Sequence, residues 1–214
     1  MDKLYYILGY YWDFSIPLDY EGNLESRKMG FQMNGSKIGN IYRFSEVTGF
    51  KFKKTRAEKD CLNCHQFYRF VKIPTYYKNS NFYDFRYVKI RENYYGFGEQ
   101  EVEKQQGFFK PEIFKNVTQL QMKSFLAGAY VDSGTIKGDT VKIEFHQAVN
   151  QKITLIKNFI NALGGTKYLK VLPNERDGEI YGPTLVFLPN KELLDLFKNE
   201  ENRINELSNG MKNE

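Results

Sequence analysis

Only two cysteines occur in the 214 residues, Cys61 and Cys64, three positions apart. That is no disulfide framework. Long apolar runs are missing too. The stretch that follows Met1-Asp2-Lys3 is interrupted by Asp13 and Pro17, and nothing approaches the roughly 20 apolar residues a membrane helix needs. No targeting segment is in view either. The chain therefore reads as an intracellular, cytoplasmic protein with no membrane partner, its expected setting a bacterial or phage-infected cell. A strong excess of one charge is also lacking. The 31 Lys plus Arg against 26 Asp plus Glu leave +5 and a pI near 8.9. That is mildly basic, well short of a histone-like tail, and alone favours nucleic acid only modestly.

What is present supports a packed fold. Hydrophobic residues make up 41% of the chain, which sets disorder aside except at the ends. The length suits one large domain or two small, intimately packed halves. Sixteen Tyr and eighteen Phe suit β-rich packing, although the bias to Lys, Asn, Tyr and Phe also fits an AT-rich genome.

The chain reads as two passes through one plan. Each pass opens with an apolar helix: residues 3–13, with Asp2 as N-cap, and residues 119–132, where Thr118 and Gln121 form a capping box. Gly134 ends the second and Pro17 limits the first. A strand pair follows each, with Lys142 and Glu144 alternating against Ile143 and Phe145 at period two. A second helix comes next in each pass. One covers 37–48, from Ser36 to Gly49. The other covers 151–163, with Ile153, Ile156, Phe159, Ile160 and Leu163 on one stripe before Gly164-Gly165. Strands return at about 50–55, 66–73 and 82–91, and again at 167–172 and 180–188. A closing helix starts near Lys191, capped by Asn190, with Leu193, Leu194 and Phe197 facing inward. Phe31 to Gly49 spans 18 positions and Phe145 to Gly164 spans 19. An internal repeat of this kind is more informative than any single motif. The organisation is thus a first repeat over 1–92, a connector rich in Gly, Gln, Glu and Lys over 93–117, a second repeat over 118–199, and a polar, flexible tail over 200–214.

The segment Phe125-Leu-Ala-Gly-Ala-Tyr-Val-Asp-Ser-Gly-Thr-Ile136 resembles the signature of LAGLIDADG homing endonucleases, and Ile7-Leu-Gly-Tyr-Tyr-Trp-Asp-Phe-Ser-Ile16 resembles a weaker first copy. Together with the repeat plan, the resemblance covers about residues 3–198. It implies an α+β fold of two pseudo-symmetric helix–hairpin–helix–hairpin repeats in a single chain, a monomer with an internal pseudo-twofold. The strands would form a saddle and the two signature helices would pack at the axis, where Gly9, Ala127 and Gly128 let the backbones approach. The implied partner is double-stranded DNA, with a protein partner such as a recombinase or regulator beside it.

In that family the metal-binding acid stands immediately before the final glycine. Here those slots hold Ser133 and, in the first copy, Phe14. Neither can hold Mg²⁺, which takes carboxylate oxygens at about 2.0–2.1 Å. Asp13 and Asp132 sit one position earlier, four after the glycine. Four helical residues are about 400°, which returns each carboxylate to the face of its glycine. Two readings follow. Asp13 and Asp132 form a displaced Mg²⁺ site and the chain is a metal-dependent, site-specific DNA endonuclease. Alternatively, they accept hydrogen bonds at helix ends, no cofactor is bound, and the protein binds DNA without cutting it, as a regulator or accessory factor of a phage or mobile element.

The saddle face should alternate basic with apolar residues, one side for DNA and the other for the helices. Lys51, Lys53 and Arg56, then Lys89 and Arg91 at the parity of Tyr87, and Lys137, Lys142 and Lys170 in the second pass are the candidates. Cys61-Leu-Asn-Cys64-His65 also has the form of a haem attachment site, a reading that would need export and a haem pocket, and supplies three ligands for a zinc knuckle with His146 or an acid as the fourth. Two free thiols are the plainer reading. Intein splicing finds no support, since no splicing-domain sequence flanks the repeats.

Overall fold

The computed structural model describes residues 1–11, 15–17, 32–34, 38–55, 67–71, 74, 76–77, 79–94, 98–145, 150–176 and 179–210. Along the chain run α1 (Lys3–Tyr10), β1 (Ser15–Pro17), β2 (Gln32–Asn34), α2 (Ile38–Thr48), β3 (Lys51–Thr55), β4 (Phe67–Val71), β5 (Tyr83–Tyr94), β6 (Gly98–Phe109), α3 (Gln119–Ser133), β7 (Gly134–Lys137), β8 (Thr140–Glu144), α4 (Asn150–Ala162), β9 (Thr166–Arg176), β10 (Glu179–Pro189) and α5 (Lys191–Gly210). The mixture is α+β with antiparallel sheets. Two compact units emerge, one of Met1–Tyr11, Gly30–Lys72 and Val117–Glu214, the other of Trp12–Met29 and Ile73–Asn116. Among the described residues, no helix is long and apolar enough to cross a membrane.

The larger unit is built around α1 and α3. The Asp2 carboxylate accepts from the Tyr5 N–H at 3.2 Å and starts α1. The Gln121 N–H donates to Thr118 Oγ1 at 3.3 Å and the Thr118 N–H to Gln121 Oε1 at 2.9 Å, which closes the expected capping box on α3. Tyr5 to Tyr10 and Ser124 to Val131 are buried without a break. A helix apolar around its whole girth must be covered on every side. α4 covers α3: its Ile153, Ile156, Phe159 and Ile160 are buried, as is Leu163 just after it, and Phe159 lies edge-on to Phe125 at 5.3 Å. α2 covers α1, with the Phe44 and Tyr10 rings 4.1 Å apart. Gly49 and Gly164, at φ +70° and +101°, turn the chain where a side chain would strain the backbone.

Two sheets complete this unit, in orders β2-β4-β3 and β7-β8-β10-β9. In the second, Val141, Ile143, Leu185 and Phe187 turn inward, and Phe187 meets Phe197 of α5. Asn190 caps α5, accepting from the Leu193 N–H at 2.9 Å. Leu193 and Phe197 are buried as expected.

The smaller unit is a long hairpin. β5 and β6 stay in register from Tyr83 opposite Phe109 to Tyr94 opposite Gly98, and β1 lies along the other edge of β6. Tyr83 stacks on Phe109 at 4.8 Å at its base.

Four expectations need correction. Residues 93–117 are more than a connector: β6 occupies 98–109, and seven of its twelve residues, all between Glu99 and Gln106, are polar, so that no hydrophobic alternation marks it. The tail is not loose through 210, because α5 continues to Gly210 and buries Glu200 and Ile204 in line with Phe197. A carboxylate that is polar by letter hid an inward stripe. The first strand pair does not pair with itself: β1 joins β6 and β2 joins β4. Finally, α1 stops at Tyr10, with Tyr11 extended at φ −70° and ψ 138°. Asp13 lies outside the described residues.

Candidate nucleic-acid interface

In the larger unit α1 and α3 approach closely backbone to backbone, and the approach is reciprocal. A β-carbon on Gly9 would overlap the Phe125 carbonyl oxygen and lie 2.7 Å from its carbon. One on Gly128 would overlap the Tyr6 carbonyl oxygen and lie 2.9 Å from the Tyr10 nitrogen. Each glycine thus meets the residue three before the other glycine. Ala127, the third residue expected at this contact, is fully buried in α3. At the N-terminal ends the Asp2 N–H donates to Ser124 Oγ at 2.7 Å.

The C-terminal ends are held from outside the pair. Asn40, third residue of α2, donates to the Val131 carbonyl near the end of α3. Lys152, third residue of α4 and only 3% exposed, donates to the Tyr11 carbonyl at 3.0 Å. A neutral amide thus closes one helix and an ammonium the other, where exposed carbonyls favour positive charge. Neither residue was expected from the sequence. The repeat does hold the signal, since both occupy the third position of the helix that follows a signature.

Asp132 lies in α3, half-buried, and accepts from the Ser133 hydroxyl at 3.1 Å. Its charge reaches α1: the Tyr10 hydroxyl is held well above its ordinary range, first by burial and then by the Asp132 carboxylate and Tyr6. Among the described residues, no three of His, Cys, Asp and Glu gather as a group able to hold a metal. One carboxylate already engaged by a hydroxyl is a poor match for a hard divalent ion, which prefers several oxygens. The described residues do not fit a metal centre.

The expected basic residues fall on three surfaces. In the four-stranded sheet, Thr135, Lys142, Val186 and Lys170 stand opposite one another across all four strands. Lys137 shares this outward face by its parity with Thr135, and Lys137, Lys142 and Lys170 are exposed while Val141 and Ile143 beside them are buried. The sheet therefore brings together all three lysines predicted from the second pass. In the three-stranded sheet, Phe52 meets Tyr42 of α2 edge-on at 4.8 Å, which leaves Lys51 and Lys53 exposed on the other side. Lys53 pairs with Arg69, which pairs with Gln32.

The third surface differs from expectation. Lys89 and Arg91 stand opposite Glu103 and Glu101 across the hairpin. Lys89 Nζ is 3.0 Å from a Glu101 oxygen. Reading 93–117 as a connector concealed this acidic row, so the hairpin is balanced in charge and not basic. By contrast, Lys51, Lys53, Lys137, Lys142 and Lys170 make no ion pair with a described carboxylate. Arg56, Cys61, Cys64, His65 and His146 lie outside the described residues.

No protein-family model matches the sequence, and no curated protein matches it either. Solved structures do. A variant of the homing endonuclease I-DmoI, in complex with its target DNA in the presence of 2 mM Mg, is 10% identical, with a TM-score of 0.40 over 92% of this chain and 93% of that one. Another I-DmoI variant, with its target DNA and 2 mM Mn, is 12% identical, with a TM-score of 0.39 over 90% and 89%. The homing endonuclease I-WcaI, bound to its DNA recognition sequence, is 11% identical, with a TM-score of 0.33 over 93% and 78%.

Proposed function

We propose that this chain is a double-stranded DNA-binding protein built as a monomer on a homing-endonuclease scaffold, with two pseudo-symmetric repeats, that does not cut. Its role is that of a regulator or accessory factor of a phage or mobile element. The observation that carries DNA binding is the lysine face of the four-stranded sheet. Three exposed lysines project from a surface whose reverse is packed on helices, and none is neutralised by a described carboxylate. A sheet face that carries lysines unpaired among the described residues suits the phosphates and base edges of a duplex groove. The reciprocal approach of Gly9 and Gly128 supports the two-repeat scaffold.

Loss of cleavage is supported at the helix ends. Phe14 and Ser133 occupy the slots where the resemblance places metal-binding acids. The Ser133 hydroxyl instead donates to Asp132, and the buried Lys152 ammonium stands on the Tyr11 carbonyl, just past the end of α1. A cation supplied by the chain itself disfavours a second, divalent one nearby.

The test pairs binding with nicking. Duplex DNA should be retarded at low salt, and affinity should fall steeply as salt rises, because each neutralised phosphate releases counterions. Replacing Lys142 and Lys170 by Ala should lower the salt slope by about two and leave the melting temperature unchanged. Supercoiled plasmid should stay intact in Mg²⁺ or Mn²⁺, and neither ion should raise the melting temperature. Metal-dependent cleavage that Asp132→Asn removes would replace this reading with that of an active endonuclease.

A further inference from the structure

The edge strand of the four-stranded sheet carries a pattern that phosphate binding does not explain. β9 presents Tyr168, Lys170 and Leu172 on the lysine-bearing face, opposite Leu188, Val186 and Thr184 of β10. Tyr168 is 39% exposed and Leu172 43%, large for apolar groups in a sheet whose other strands shelter theirs. Lys170 lies between them, its ammonium 5.1 Å from the centre of the Tyr168 ring. Val186, flanked in register by Lys142 and Lys170, is almost covered. A surface meant for water would not hold Tyr and Leu out in this way. One meant for phosphates alone would carry further donors in their places.

A duplex major groove satisfies both halves of the pattern. Thymine offers an apolar C5-methyl group on the groove floor, and the phosphates that flank it are anionic. Charge selects this occupant over a protein surface, since Lys137, Lys142 and Lys170 outnumber Glu144 on the face. We infer that β9 reads thymine methyl groups through Tyr168 and Leu172, while Lys170 and Lys142 seat the strand on neighbouring phosphates. Val171, also partly exposed, turns to the opposite face and takes no part. This inference rests on the DNA-binding reading above, and it adds the chemistry by which one part of the target is chosen.

The experiment uses the full chain and duplexes enriched from a randomised library at low salt. Each thymine of the enriched duplex is then replaced singly by deoxyuridine, which removes the methyl group and nothing else. Clustered positions should each lose roughly fourfold in affinity, the value of burying one such carbon. Leu172→Ser should weaken binding to the thymine duplex and abolish the uracil penalty at one of those positions. Lys170→Met should lower the salt slope and keep the penalty. Leu172 is exposed, and an unchanged melting temperature confirms that the variant folds. Duplex binding with no enriched sequence, with uracil neutral throughout, or with the penalty intact in Leu172→Ser and Tyr168→Ser, overturns methyl readout alone. Failure to bind any duplex overturns the DNA-binding reading with it.

Discussion

At Gly9 a single methyl group would have to enter the space of the Phe125 carbonyl oxygen, and at Gly128 that of Tyr6. Both obstacles are backbone, which cannot swing aside as a side chain can. Gly9→Ala should therefore destabilise the fold by about 1–3 kcal/mol or more, the range for overpacking a tight interior. Gly210→Ala, at a position with open space around it, should be close to neutral. Urea midpoints of the two variants make the comparison. Tyr6 presents the opposite case. Its hydroxyl is buried with no hydrogen-bond partner among the described residues, close enough to Glu200 and Arg43 to feel their charges. Its pKa is driven well above the ordinary value, chiefly by burial. An unsatisfied buried hydroxyl costs about 1–3 kcal/mol. Tyr6→Phe should thus leave the thermal midpoint unchanged or raise it, and a marked fall would overturn this account of the hydroxyl.

α2 and α5 are joined by a chain of charges and by a close approach in which a β-carbon on Gly39 would overlap Ser208 and the Ile204 carbonyl. Arg43 grips Glu200 with two hydrogen bonds of 2.7 Å, while Glu46 takes a third bond from Arg43 and others from Arg203. Glu200 is 2% exposed, so its pairing is obligatory. Hydrogen bonds from Arg203, against the contrary effect of partial burial, and then from Arg43 hold the Glu46 carboxyl at about 2. A folded pKa depressed below the unfolded value gives stability that is complete above the unfolded pKa and fades as pH falls through the folded one. Stability should accordingly decline as pH drops from about 4.5 towards 2, and Glu46→Gln should flatten that decline in denaturation curves taken across the window. This element also shows what a sequence reader can and cannot see. The stripes of α4 and the caps at Asp2, Thr118 and Asn190 were legible, because apolar spacing and capping are local. The second half of α5 was not, since a buried Glu looks like surface until its Arg arrives from a residue 157 positions away. β6 was not legible either, for it is polar on both faces and its partner supplies the only reason to be a strand.

Over the whole molecule, charge illustrates the same limit. A net +5 says little about where a polyanion would bind. Pairing decides it: Lys89, Lys110, Lys123 and Lys198 have carboxylates beside them, and the sheet lysines Lys51, Lys53, Lys137, Lys142 and Lys170 have none among the described residues. The sequence named Lys137, Lys142 and Lys170 as candidates on separate strands, and only the pairing of those strands sets them on one face. It missed the ion pair of Lys89 with Glu101, and it missed Asn40 and Lys152, since their targets are main-chain carbonyls that have no signature. The seat of α1 on α3 has a further consequence, one of timing. α1 ends at residue 10 and α3 begins at residue 119, so 109 residues must be made (119 less 10) before the first helix has the beginning of its partner. At roughly 5–20 residues per second that is on the order of ten seconds. Through this interval Tyr5, Tyr6, Ile7 and Leu8, all buried in the finished fold, have α2 beside them but not α3. Slowing the ribosome between codons 11 and 118 should therefore lower the soluble yield in a cell-free synthesis, and slowing it after codon 133 should not.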